Sequence, residues 1–167
     1  MSQKAADFKV GYITVIAGFG GTLIGGWLGD RLLRRWRESY LWVSAVSTLA
    51  AVPFAYLAMR PANETLWVEA LWVAVVLVFL SNGLVNSSLL SVVPAARRAS
   101  AMALSILIIH SLGDAPSPAI LGHVADWTSV PTAALLIPIF LLLGGLIWLY
   151  AAWRGERAPR PAEGATM

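Results

Sequence analysis

An all-α, polytopic membrane helix bundle is the fold class this sequence predicts, on three observations. Hydrophobic residues make up 58% of the chain and charged residues only 13%, which is more apolar surface than one small soluble core can hide. The apolar residues fall into five runs, each at least as long as the roughly 20 residues a helix needs to cross a bilayer. The arginines gather in short clusters at the ends of those runs.

Taken in order, the first run is Val10 to Gly29, closed by GGWLGDRLLRR, which passes within a few residues from glycine and leucine to an acid and three arginines. Gly21, Gly25 and Gly29 recur every fourth residue, beside a parallel row of Gly18, Thr22 and Gly26. Small residues at this spacing let another helix approach closely, so packing is their simplest role. The second run is Tyr40 to Met59. The third, Leu66 to Val93, is overlong, so either it tilts or its first turn, with Glu69, lies in the interface. The fourth is Ala99 to Ala125, and Pro116 and Pro118 place a kink in it near Gly113. The fifth is Thr132 to Trp153. Most tryptophans stand towards span ends, as interfacial anchors do.

Short connections make neighbouring spans antiparallel, and residues 1–153 read as one domain followed by a disordered cytoplasmic tail at 154–167. Basic residues are retained on the cytoplasmic side. Arg31, Arg34, Arg35 and Arg37 follow the first span, Arg97 and Arg98 the third, and Arg154, Arg157 and Arg160 the fifth, so nine of the twelve basic residues share one side if the first span runs inward. Lys4 and Lys9 then lie outside, outnumbered by the four arginines. A signal peptide is the rival for the first thirty residues, but the run is long, lacks a small-residue cleavage site and ends in a stop-transfer edge. An outside N-terminus without an upstream helix suggests the later part of a longer protein, or insertion beside a partner supplying the missing helices.

The chain contains no cysteine, which excludes disulfides and thiol chemistry, and its two histidines leave little for a metal site. No cofactor is expected. The arginines lie between apolar runs and not along an aromatic-studded face, so nucleic acid is not an expected partner; membrane lipids are. No phosphate-binding loop, His-Glu-x-x-His or G-x-S-x-G elbow occurs. An intramembrane hydrolase using His110, Asp114 and a nearby serine is the weaker alternative; a regulatory subunit that only packs helices is another.

His110 and Asp114 stand one helical turn apart near mid-span, on a face continued by Ser117. Ionisable residues inside a membrane are costly and mark sites by default, and histidine is the side chain whose charge changes nearest neutral pH. That suits proton coupling; a purely structural fastening is the alternative. Asn82 and Asn86 repeat the one-turn spacing in the third span and can line a polar cavity or bond across helices. The sequon Asn63, Glu64, Thr65 lies in a loop hugging the membrane and reads as chance.

Gly26, Leu28, Asp30, Arg31, Arg34 and Arg35 resemble the G-x-L-x-D-R-x-G-R-R/K signature of the major facilitator superfamily, with Leu33 in place of its glycine. In that family the signature follows the second helix of each six-helix half, at the cytoplasmic face. The stretch PAARRASAMALSILIIHSLGDAPSPAILGHVAD, Pro94 to Asp126, is similar to the eleventh helix of the spinster-like branch. The resemblance implies that the five spans match helices 8 to 12 of the C-terminal half. It further implies alternating-access transport of a small amphiphile of the lysophospholipid or sphingoid class. His110, Asp114, Ser117, Asn82 and Asn86 would line the pathway, the Asp30 and arginine motif would act as a cytoplasmic latch that accepts hydrogen bonds from a neighbouring helix N-terminus, and Gly113, Pro116 and Pro118 would form a hinge.

Overall fold

The computed structural model describes residues 3–33, 39–60 and 63–154. Its regular elements, among the described residues, are all helical: α1 (Gln3–Leu33), α2 (Ser39–Met59), α3 (Glu64–Val92), α4 (Arg98–Ile108), α5 (Ser117–Trp127), α6 (Val130–Ala134) and α7 (Leu136–Trp153). A 3-10 turn, Ala95–Arg97, leads into α4, and a π-helical segment, Ile109–Asp114, joins α4 to α5. Five rods are long and apolar enough to cross a membrane: Lys4–Leu32, Ser39–Met59, Glu64–Leu90, Ala95–Trp127 and Val130–Trp153. They coincide with the five apolar runs.

Local chemistry sets several boundaries. The Asn63 backbone is extended and its Oδ1 accepts from Leu66 N at 2.8 Å, satisfying one of the amides left free at the start of α3. The sequon asparagine thus serves as a helix cap. Ser129 does the same for α6, accepting from Thr132 N at 3.4 Å. The break between α6 and α7 at Leu135 precedes Pro138, which cannot donate to the Ala134 carbonyl. At 29 residues α3 is ~43 Å long at about 1.5 Å per residue, so it must tilt or enter the interface to fit a hydrocarbon layer of ~30 Å.

The core is made mostly of small residues. α3 packs on both α1 and α2, and α7 packs on α2. Ala17, Ala45, Ala51, Ala55, Ala70 and Ala74 are buried, while Phe8, Phe19, Trp27, Phe140 and Ile147 are exposed. This suits a bilayer, where lipid tails are as apolar as leucine and association depends on close backbone approach. The buried hydroxyls of Ser47 and Ser81 donate back to their own helices, to Ser44 O at 3.2 Å and Val78 O at 2.8 Å.

Both small-residue rows of α1 meet α3, which runs parallel to it. A β-carbon on Gly21 would lie 2.6 Å from Val76 O, and one on Gly25 would run into the backbone carbonyl of Leu80. In the second row a β-carbon on Gly18 would press on the Phe79 ring, and one on Gly83 would lie 3.2 Å from Thr22 O. The every-fourth spacing of Gly21, Gly25 and Gly29 therefore faces the same spacing of Val76, Leu80 and Leu84. Tyr12 meets Trp72 edge-on at 6.1 Å, and Lys9 pairs with Glu64 at the opposite end from Asp30.

Three rods end in the same clasp, an arginine one turn after an aromatic residue. Arg31 lies over Trp27 at 5.5 Å, Arg60 over Tyr56 at 6.0 Å and Arg154 over Tyr150 at 5.3 Å. The guanidinium gains the ring's negative face and interacts with the helix C-terminus, while ring and cation sit at one depth, suited to a headgroup layer.

The fourth rod differs. None of α4, the π segment and α5 contains a buried residue, and their contacts are almost wholly with the elements before and after them in the chain. A helix carrying an acid and a histidine cannot leave those groups to hydrocarbon, so this rod presents the surface that most requires a partner or a water-filled cavity.

Candidate functional site

The site is built on the π segment, and two prolines account for its local structure. Pro116 has no N–H, so the bond that an α-helix would send to the Leu112 carbonyl is missing. The ladder slips by one residue: Ala115 N donates to His110 O at 2.9 Å, five residues back. Regular α geometry resumes with Ile120 N donating to Pro116 O at 3.0 Å. Pro118 likewise cannot serve the Asp114 carbonyl, and Ser117 Oγ donates to it at 3.1 Å. The sequence suggested a kink near Gly113, and at that position the structure has a π turn, a feature frequent at functional sites.

Within that turn His110 Nδ1 and Asp114 Oδ2 lie 2.5 Å apart. The side chains are 65% and 64% exposed. With Asp114 ionised, Nδ1 carries the proton and donates it, which leaves Nε2 for a second partner. Ser117 joins it through the Asp114 backbone and not through a side-chain contact.

Gly113, Pro116 and Ser117 face a largely apolar cleft of ≈ 550 Å³ between the fourth and fifth rods, lined opposite by Leu136, Ile137, Phe140 and Leu141. A β-carbon on Gly113 would meet nothing within 4 Å, so packing does not require glycine there. Asn82 and Asn86 stand on α3, a different rod, and no hydrogen bond joins either to the His110 and Asp114 pair among the described residues. Asn82 is exposed and Asn86 half-buried. The structure therefore brings together His110, Asp114 and Ser117 and leaves the two amides apart from them. Among the described residues, no group of three or more histidines and carboxylates converges as a metal site would require.

The cytoplasmic motif is only partly visible. Gly26 has open space on its Cα, Arg31 is exposed over Trp27, and Arg34 and Arg35 lie outside the described residues. Asp30 accepts a hydrogen bond at Oδ1 from Tyr40 Oη at 2.8 Å. The donor is a phenol in the first turn of α2. Sequence reasoning singled out Asp30 and missed Tyr40, whose only signal was its position at the start of an apolar run.

No family model matches the chain. Relatives do. The chain is 32% identical over 150 residues to a probable sphingolipid transporter, spinster homolog 1, of Arabidopsis thaliana, covering 87% of this chain and 30% of that protein. It is 34% identical over 168 residues to protein spinster homolog 1 of Xenopus tropicalis, covering 92% and 32%. To the sphingosine-1-phosphate transporter SPNS2 of Xenopus tropicalis it is 29% identical over 157 residues, covering 85% and 31%. The chain thus spans about a third of the length of these relatives. With its five apolar rods it is a multi-pass integral membrane protein, and it belongs to the spinster-like branch of the major facilitator superfamily.

Proposed function

We propose that the chain supplies helices 8 to 12, the C-terminal half short of its first helix, of a secondary transporter that moves lysophospholipid or sphingoid amphiphiles across the cell membrane by alternating access. The hydrogen-bonded His110 and Asp114, set in a π turn on a rod that has no buried residue, carry the reading. With neutral histidine the pair bears one negative charge; one added proton makes it net neutral. Hydrocarbon and packed helices penalise the charged form far more than the neutral one. Proton uptake therefore favours the occluded arrangement of this rod and proton release the hydrated one, which couples the proton to the helix movement. Asn82 and Asn86 give the pathway uncharged donors and acceptors for a polar headgroup. The cleft beside Gly113 and Phe140 gives an apolar tail somewhere to lie, and the break at Pro116 and Pro118 gives the rod a place to bend. Missing spans, from the same chain or from a partner, cover the fourth rod.

The relatives' names support the substrate class. The test is uptake of labelled lysophosphatidylcholine, sphingosine and sphingosine-1-phosphate by the protein in proteoliposomes together with its N-terminal half. Saturable uptake of at least one, with mutual competition among them, is expected. Uptake of none, with the protein correctly inserted, would reject the reading.

A further inference from the structure

Three elements meet at the Tyr40 ring, beside the Asp30 carboxylate. The Tyr40 ring, at the start of α2, lies directly over Gly29 of α1: a β-carbon on that glycine would fall 2.7 Å from Tyr40 Cε1 and 2.9 Å from Cδ1. The ring is only 7% exposed and is backed by Leu80 and Leu84 of α3. From that seat its hydroxyl reaches the next residue of α1, donating to Asp30 Oδ1 at 2.8 Å. Beside it Ser39, fully buried, points its Oγ at Gly29 O at 3.5 Å. Glycine provides the seat, aspartate the acceptor and tyrosine a braced strut between them.

The chemistry of this strut is specific. Asp30 is exposed apart from this contact, and Tyr40 is its hydrogen-bond partner among the described residues. An unrestrained carboxylate at an aqueous interface would sample all its staggered rotamers; a phenol fixed by packing selects one. A lysine or arginine would fix it too, but would also neutralise it. A neutral phenol positions the group without itself neutralising it, and among the described residues Tyr40 engages Oδ1 alone.

We propose that Tyr40 is the positioning residue of the cytoplasmic motif: seated on Gly29, it holds the Asp30 carboxylate aimed, so that Oδ2 can receive a cationic or N–H donor from an opposing element when the inward end closes. The proposal rests on the transport reading above, since it assigns the held carboxylate to a latch that closes and opens.

The test compares wild type with Y40F, D30N and Y40F/D30N, each in the full protein. Phenylalanine keeps the ring on its glycine seat and deletes only the hydroxyl. The maximal uptake rate of Y40F should fall about tenfold, the order set by loss of one hydrogen bond to a charged group, while KM for the amphiphile stays unchanged. D30N should fall at least as far, and the double variant no further than D30N alone. Rate losses that multiply in the double variant, a wild-type rate in Y40F, or a change in KM alone would overturn the proposal. If the wild-type protein moves no amphiphile, the transport reading fails by itself, and the same four proteins are compared by thermal unfolding. Non-additive melting shifts then keep Tyr40 as the group that positions Asp30, and additive shifts remove it.

Discussion

Gly25 of α1 and the Leu80 carbonyl of α3 leave no room between them for even a single carbon atom, whereas the next residue, Gly26, would accept one freely. Two adjacent glycines in one sequence motif thus have opposite structural demands. G25A should destabilise the protein by about 1–3 kcal/mol, the usual cost of forcing a methyl group into a packed contact. G26A should be neutral, or stabilising by about 0.5–1 kcal/mol through helix propensity. Unfolding of both variants in bicelles distinguishes them; equal losses would mean that the α1 and α3 contact is misplaced.

Among the described residues the buried Ser44 hydroxyl has no hydrogen-bond partner, unlike Ser47 and Ser81, whose hydroxyls bond their own helices. An unmade hydrogen bond in the core costs more than an absent polar group. S44A should therefore be neutral or stabilise by up to about 1 kcal/mol, read from the same unfolding measurement. A clear loss of stability would show that the hydroxyl is in use.

Much of this architecture was legible in the sequence. Apolar run length located all five rods, because bilayer thickness constrains helix length directly. The every-fourth spacing of Gly21, Gly25 and Gly29 announced a close helix contact, although not that α3 would supply it. The pairing of His110 with Asp114 followed from their spacing. What was not legible depended on hydrogen-bond balance or on tertiary geometry. Two prolines two residues apart signal an interrupted ladder, but the π turn depends on which carbonyls find other donors, here Ala115 N and Ser117 Oγ. Tyr40 meets Asp30 where its ring comes close to Gly29, a contact between two helices that spacing along one chain does not reveal. The cap role of Asn63 likewise appears only once α3 is seen to begin at Glu64.

Orientation is open to a simple check, because the chain has no cysteine and each one introduced is a unique label. Single cysteines at Arg31, Arg98 and Arg154 should react with a membrane-impermeant maleimide only after the cytoplasmic face is opened. Cysteines at Glu64 and Thr128 should react in intact cells. The reverse pattern would invert the arrangement of all five rods and place the Asp30 motif on the wrong side for a cytoplasmic latch.

The central claim is that His110 and Asp114 couple a proton to movement of the fourth rod, and the most direct measurement is uptake by the full protein in proteoliposomes under an imposed pH gradient. The account predicts that the wild type accumulates its amphiphile when the gradient is applied, and that H110Q and D114N lose this accumulation while still equilibrating the substrate across the bilayer. Gradient-driven accumulation undiminished in both variants would contradict it.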